Sequence, residues 1–202
     1  VLGDDDSLIV NKIPLDIPVL DVILDGGLPR GRSILVIGDF MAGKTFFCLK
    51  AIKSVQERGL VAVYIDFERT FHQEWSKLLG LELSNLMVSR PSCGEEAWDL
   101  AIEAAKLGVD IIVLDSVASL VSFSESKEDM DHQFIGVLAR MCGKGLRKIT
   151  EVNEKSVFIM VNQIRHGIGG PIVTEALPGG KAQKFYSSII LKLIRGPWIK
   201  NE

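Results

Sequence analysis

Basic charge, cysteine and long apolar runs are all scarce in this 202-residue chain. Its 23 lysines and arginines are outnumbered by 26 acids, for a net charge of −3. That balance excludes a uniformly basic coat for nucleic acid, although a local basic patch remains compatible with it. The three cysteines, Cys48, Cys93 and Cys142, fall at no spacing typical of a metal site. Free thiols in a reducing compartment are the expectation. No stretch approaches the roughly 18 apolar residues of a membrane helix. The start, Val1-Leu2-Gly3-Asp4-Asp5-Asp6, lacks the basic-then-apolar order of a secretory leader. Together these absences predict a soluble, cytoplasmic protein with no membrane partner.

What is present suffices for one domain, 1–202, with a full core and a fraying start over 1–12. The composition, 47% hydrophobic and 24% charged, is ordinary for such a domain. Five short apolar runs recur: Ser33–Ile37, Val61–Asp66, Asp110–Asp115, Ser156–Asn162 and Ser188–Ile194. The first four are continuous, as in strands buried on both faces. Helical patterns lie between them at Thr45–Arg58, Glu95–Leu107 and Phe134–Glu151. Within the second, Trp98, Ile102 and Ala105 form one apolar stripe. Such alternation predicts an α/β fold, a mostly parallel twisted sheet with helices on both faces. Leu86–Ser89 could add an edge strand. Two segments, Ser122–Gln133 and His166–Gly180, resist assignment. The first is polar and acidic, and the second is crowded with glycine and proline. Long irregular loops in a compact domain tend to be functional.

The most specific motif is Gly38-Asp39-Phe40-Met41-Ala42-Gly43-Lys44-Thr45, which follows a predicted strand and opens a predicted helix. That setting marks a phosphate-binding loop, with Phe46 on the first turn beyond it. Its glycines let successive N–H groups face phosphate oxygens, and the helix N-terminus adds partial positive charge. Lys44 is expected to reach the β- and γ-phosphates, and the Thr45 hydroxyl to ligate Mg²⁺ beside bound ATP. The run Ile111-Ile112-Val113-Leu114-Asp115 delivers a carboxylate to the C-terminal edge of the sheet, where it can hold the metal. Past the second strand, Asp66 and Glu68 are equal candidates for orienting an attacking water, against the alternative of a solvated pair of acids.

With these elements in place, the chain resembles the RecA/RadA recombinase family, in its bacterial and phage branch, from about Ile13 to Ile194. The stretches that carry the likeness are Leu15–Pro29, the phosphate loop, Tyr64–Glu68 and Asp115-Ser116-Val117-Ala118-Ser119-Leu120. Ala139-Arg140-Met141, Val161-Asn162-Gln163-Ile164-Arg165 and Gly179-Gly180-x-Ala182-x-Lys184-Phe185-Tyr186 complete the set. The resemblance implies a P-loop NTPase core acting as a DNA-dependent ATPase in strand exchange. It assigns catalysis to Glu68 rather than Asp66, and γ-phosphate sensing to Gln163. The Gln163 strand should then lie between the loop strand and the Asp115 strand. Trp75 falls where the family stacks an aromatic on adenine, although an amphipathic helix could equally bury it. The two irregular segments coincide with the family's DNA-binding loops. Arg140, Arg147 and Arg165 match contacts to single-stranded DNA phosphates, and Ile135 and Ile168 match residues that wedge between base triplets.

Some features depart from the family's pattern. Its N-terminal subunit-gripping helix and strand have no counterpart before Val1, and lysines that would reach a neighbour's ATP are expected beyond Glu202. Either a trimmed core or a short relative fits. The expectation is a mainly monomeric 202-residue chain, with filaments formed by a full-length protein. Glu125, Glu128, Asp129 and Asp131 are denser acid than a phosphate-binding surface favours, and Gly167 replaces an expected basic residue. The alternatives are a recombination mediator with weak or no hydrolysis, and a hexameric helicase-like or signalling ATPase on the same core.

Overall fold

The computed structural model describes residues 5, 9–127, 136–166 and 175–197. Each continuous apolar run is a strand within a residue of its expected bounds: β3 (Arg32–Gly38), β4 (Ala62–Asp66), β6 (Ile111–Asp115) and β7 (Val157–Gln163). Earlier in the chain, β1 (Lys12–Ile13) and β2 (Leu28–Pro29) pair antiparallel around the short helix α1 (Pro18–Ile23). Lys12, at the limit of the start expected to fray, is thus part of a strand. Leu86–Ser89 forms β5 at one edge of the main sheet, and Ser187–Leu193 forms β10 at the other. The order is β10-β3-β7-β6-β4-β5, and every pairing is parallel. The strand ending in Gln163 therefore lies between the loop strand and the Asp115 strand, as expected.

Alternation along the strands sorts the core into two layers. Ile34, Val36, Tyr64, Val113 and Ile159 face α2 (Lys44–Glu57), which buries Phe47, Cys48, Ala51, Ile52 and Val55 against them. Leu35, Ile37, Ile65, Leu114, Phe158 and Met160 face α4 (Gly94–Lys106) and α6 (Val137–Val152). The predicted stripe Trp98, Ile102 and Ala105 is buried there, with Trp98 edge-on to Phe158 at 5.9 Å. Burying a side chain of this size contributes about 1.5–3 kcal/mol, so the sheet is held from both faces. All three cysteines are free and buried, and burial pushes the Cys142 thiol up to about 12.

Both segments that resisted assignment contain short regular elements. Ser122–Gln133 includes the helix α5 (Phe123–Lys127), capped where Ser122 Oγ accepts from the Glu125 N–H at 3.1 Å. His166–Gly180 includes β9 (Glu175–Ala176), paired antiparallel with β8 (Arg165–His166). Two-residue strands are too short for periodicity to reveal. The segment's far end enters α7 (Ala182–Tyr186), which packs on α6.

Candidate functional site

The registers bring chain-distant residues to one edge of the sheet. Gly38 pairs with Gln163, and Asp66 pairs with Asp115, so four strand ends meet at the C-terminal rim. The 39–43 turn leaves β3 there and returns into α2. A Cβ on Gly38 would lie 2.5 Å from the Leu193 carbonyl oxygen, which confines this position to glycine. Gly43, the residue before the helix, sits at φ 88°, in the left-handed region that L side chains rarely adopt. The first-turn N–H groups of α2 consequently face the cleft without a capping side chain.

That cleft has a volume of about 540 Å³ and is lined by Phe40, Met41, Ala42, Gly43, Lys44, Thr45, Phe46, Glu68, Thr70, Trp75, Asp115, Ser116 and Gln163. Lys44 Nζ donates to the carbonyl oxygens of Asp39 at 2.7 Å and Gly38 at 3.2 Å, folding back over the loop. Burial lowers its pKa, against the opposing pull of Asp115, Glu68 and Asp39. The Thr45 hydroxyl donates to Asp115 Oδ2 at 2.8 Å. Tyr64 OH donates to the same oxygen at 2.7 Å. Asp115 is 2% exposed. Burial raises its pKa most, the two hydroxyl donors oppose that shift, and nearby Glu68 and Asp66 add to it. A cis peptide joins Asp115 to Ser116.

The two acids after β4 have different surroundings. Asp66 is fully buried and accepts from the N–H groups of Thr70 at 2.9 Å and Phe71 at 3.2 Å and from Arg90 Nε at 3.0 Å. It shapes the turn that carries the cleft wall. Glu68 is exposed in the cleft, where its Oε1 accepts from Ser119 Oγ at 2.9 Å and from Ser116 Oγ. A solvated acid pair is therefore not what this strand end makes. Trp75, on α3 (Gln73–Leu78), is 37% exposed and stands 6.2 Å from Phe46, ring centre to ring centre, so it is not a core tryptophan. The His72 Nδ1 atom accepts the Trp75 N–H at 3.2 Å and caps that helix.

The oxygen donor set fits Mg²⁺. A carboxylate beside a hydroxyl is a hard pair, and Mg²⁺ keeps its other positions for water and phosphate rather than a protein cage. No cluster of three or more His, Cys, Asp or Glu side chains that could hold a metal occurs among the described residues.

Arg140 and Arg147 project from the exposed side of α6, and Arg165 stands just past β7. None forms an ion pair among the described residues. The structure also places Lys144 and Lys148 with Arg140 around a cavity of about 340 Å³ floored by Trp98, Ile102 and Met141, opposite Glu95 and Asp99 on α4. Sequence reasoning missed these lysines, although their four-residue steps from Arg140 were available as a signal. It also missed Tyr64, Ser116, Ser119 and Arg90. Ile135 and Ile168 lie outside the described residues, as do 128–133 of the first proposed DNA loop and 167–174 of the second. No helix of the described residues is long and apolar enough to cross a membrane.

The family model for the RecA N-terminal domain matches residues 1–202. Curated relatives named Protein RecA agree. One from Acholeplasma laidlawii is 41% identical over 204 residues, covering 98% of this chain and 62% of the relative. A second, from Saccharopolyspora erythraea, is 39% identical over 205 residues, covering 99% and 59%. A third, from Fusobacterium nucleatum subsp. nucleatum, is 40% identical over 199 residues, covering 95% and 52%. The chain thus spans less than two thirds of the length of these relatives.

Proposed function

This chain belongs to the RecA family, and from that premise we propose that it is the ATP-binding and hydrolysing core of a single-stranded-DNA-dependent recombinase. One observation carries the reading: Thr45 bonded to Asp115 at the mouth of the glycine loop, with hydroxyl-held Glu68 and strand-end Gln163 lining the same cleft. On ATP binding, Lys44 exchanges its loop carbonyls for phosphate oxygens, and the loop N–H groups supply the remaining donors. Bound Mg²⁺ would neutralise the charge developing on the phosphates, held by the Thr45 hydroxyl and by Asp115, directly or through water. Glu68 orients the attacking water and takes its proton, while Ser116 and Ser119 fix the carboxylate through Oε1. Phe46 and Trp75 offer apolar ring surface for the base. Gln163, opposite the start of the loop, is within the same wall and can answer the presence of the terminal phosphate.

Arg140, Arg147 and Arg165, which form no ion pair among the described residues, supply contacts to phosphates of a single strand. Ile135 and Ile168 remain candidates for base contacts. The 202-residue chain is expected to bind DNA weakly and to be mainly monomeric. The deciding experiment is ATP turnover by this chain with and without single-stranded DNA. Turnover that rises with DNA supports the recombinase core. ATP binding with no hydrolysis under either condition would replace it with the mediator reading.

A further inference from the structure

The hydroxyl of Tyr64 sits where an apolar core has no use for it. Its ring is buried among Val36, Phe47, Cys48, Ile52 and Val113, and stands 5.4 Å from the Phe71 ring. The residue as a whole has no exposed surface. A phenylalanine would fill the same space without a polar group to desolvate, so the phenol oxygen requires a partner. That partner is Asp115 Oδ2, at 2.7 Å. Thr45 Oγ1 donates to the same Oδ2 from the loop helix, at 2.8 Å. Two donors thus occupy the lone pairs of one oxygen, and Oδ1 accepts no hydrogen bond among the described residues.

We propose that Tyr64 is a positioning residue for the metal-loaded nucleotide site: its hydroxyl locks the Asp115 carboxylate so that Oδ1 faces the cation or its water. This rests on the nucleotide reading above. The physical reason lies in the sharing of Oδ2. The Thr45 hydroxyl can turn a lone pair to a metal while its proton stays on Oδ2, so Thr45 has a second task at the site. Tyr64 has none: it is anchored in the core layer under α2, on the strand paired with β6, and its hydroxyl holds Oδ2 from a third element. It therefore defines the carboxylate plane before the cation arrives, and the ordering need not be supplied at binding. Partners of this outer kind typically change metal affinity by about 10- to 100-fold when removed.

The test is Tyr64→Phe in this chain, with ATP affinity measured by calorimetry across a Mg²⁺ titration and again in excess chelator. The expected result is about a tenfold higher Mg²⁺ requirement for tight ATP binding, the lower end of that range because Thr45 remains. Chelator-condition ATP affinity and the thermal transition should stay near the parent's. In an Asp115→Asn background, adding Tyr64→Phe should shift the Mg²⁺ requirement no further, a coupling that a packing role would not produce. An unchanged Mg²⁺ requirement overturns the proposal. So does an equal loss of affinity with and without Mg²⁺, or loss of the fold in Tyr64→Phe, since either makes Tyr64 a packing residue. A parent chain that binds ATP no better with Mg²⁺ than without it would instead remove the nucleotide reading beneath the proposal.

Discussion

Replacing Asp66 with alanine is expected to loosen the wall of the cleft before it touches any chemistry. The carboxylate has no exposed surface and holds the N–H groups of Thr70 and Phe71 and the Arg90 guanidinium, at 2.9, 3.2 and 3.0 Å. Truncation strands two backbone donors, at about 1–3 kcal/mol each if water cannot reach them. The Arg90 side chain is half exposed, so water recovers much of its interaction and its share is discounted. The sum is about 2–6 kcal/mol. For a chain of this length each kcal/mol moves the melting temperature by about 2–4 °C, giving a drop of roughly 4–24 °C. Glu68→Gln is the matched comparison. Its amide oxygen still accepts from Ser116 and Ser119, so stability should stay within about 0.5 kcal/mol of the parent. Turnover should fall by about 10²–10⁴. Circular dichroism melts of both variants, with steady-state ATP hydrolysis, read the two effects separately. A parent-like melt for Asp66→Ala, or full turnover in Glu68→Gln, would refute the division of labour between the two acids.

Further outcomes follow from the same geometry. Lys44→Ala should weaken ATP binding by roughly 1.5–3 kcal/mol, the worth of a hydrogen bond to a charged group, and calorimetry showing undiminished affinity would count against the loop's role. Asp115 has a raised folded-state pKa, so the stability it contributes is full below the ordinary carboxylate value and is lost as pH rises through the raised one. Asp115→Asn should therefore stabilise the nucleotide-free chain at neutral pH by about 0.5–2 kcal/mol while raising the Mg²⁺ requirement of ATP binding, which Thr45 still supports; urea titrations at acid and neutral pH should show the gain only at the latter. Arg165→Ala should weaken single-stranded DNA binding whatever the sequence, and should lower the slope of log affinity against log salt by about 0.7. A fluorescence titration at several salt concentrations with an unchanged slope would remove Arg165 from the phosphate contacts.

The central strands were legible because burial on both faces leaves an unbroken apolar run, and the glycine loop because its residue types are set by backbone geometry. Strand order required more than periodicity: it came from the likeness of Asn162-Gln163-Ile164-Arg165 to a family, and the pairing of Gly38 with Gln163 agrees with it. Alternation could not distinguish Asp66 from Glu68, because their difference lies in partners far along the chain. Arg90 reaches Asp66 from beyond β5, and Ser116 and Ser119 reach Glu68 from beyond β6. The Tyr64–Asp115 bond spans 51 residues and appears only once the register of β4 against β6 is known. Helix α1 was missed for a simpler reason. Six residues make fewer than two turns, and the inward Ile17, Leu20 and Leu24 are interleaved with the exposed apolar Val19, Val22 and Ile23, which blurs the periodicity.

The last two residues of β7 point to opposite sides of the sheet. Gln163 lines the cleft, while Asn162 is fully buried on the other face, its Nδ2 donating to the Pro178 carbonyl at 2.8 Å and to Gln183 Oε1 at 2.7 Å. One strand end is therefore read from two directions, and the two faces are joined directly, because Asn162 Oδ1 accepts the Gln163 N–H at 2.8 Å. Thermodynamic reciprocity applies to such an arrangement. If a ligand on the cleft side changes the affinity of a ligand that displaces Pro178 by some factor, the second must change the affinity of the first by that same factor. A change at Gln183, which bonds Asn162 on the side of the sheet away from the cleft, would then bear on the strand end that carries Gln163 into the cleft.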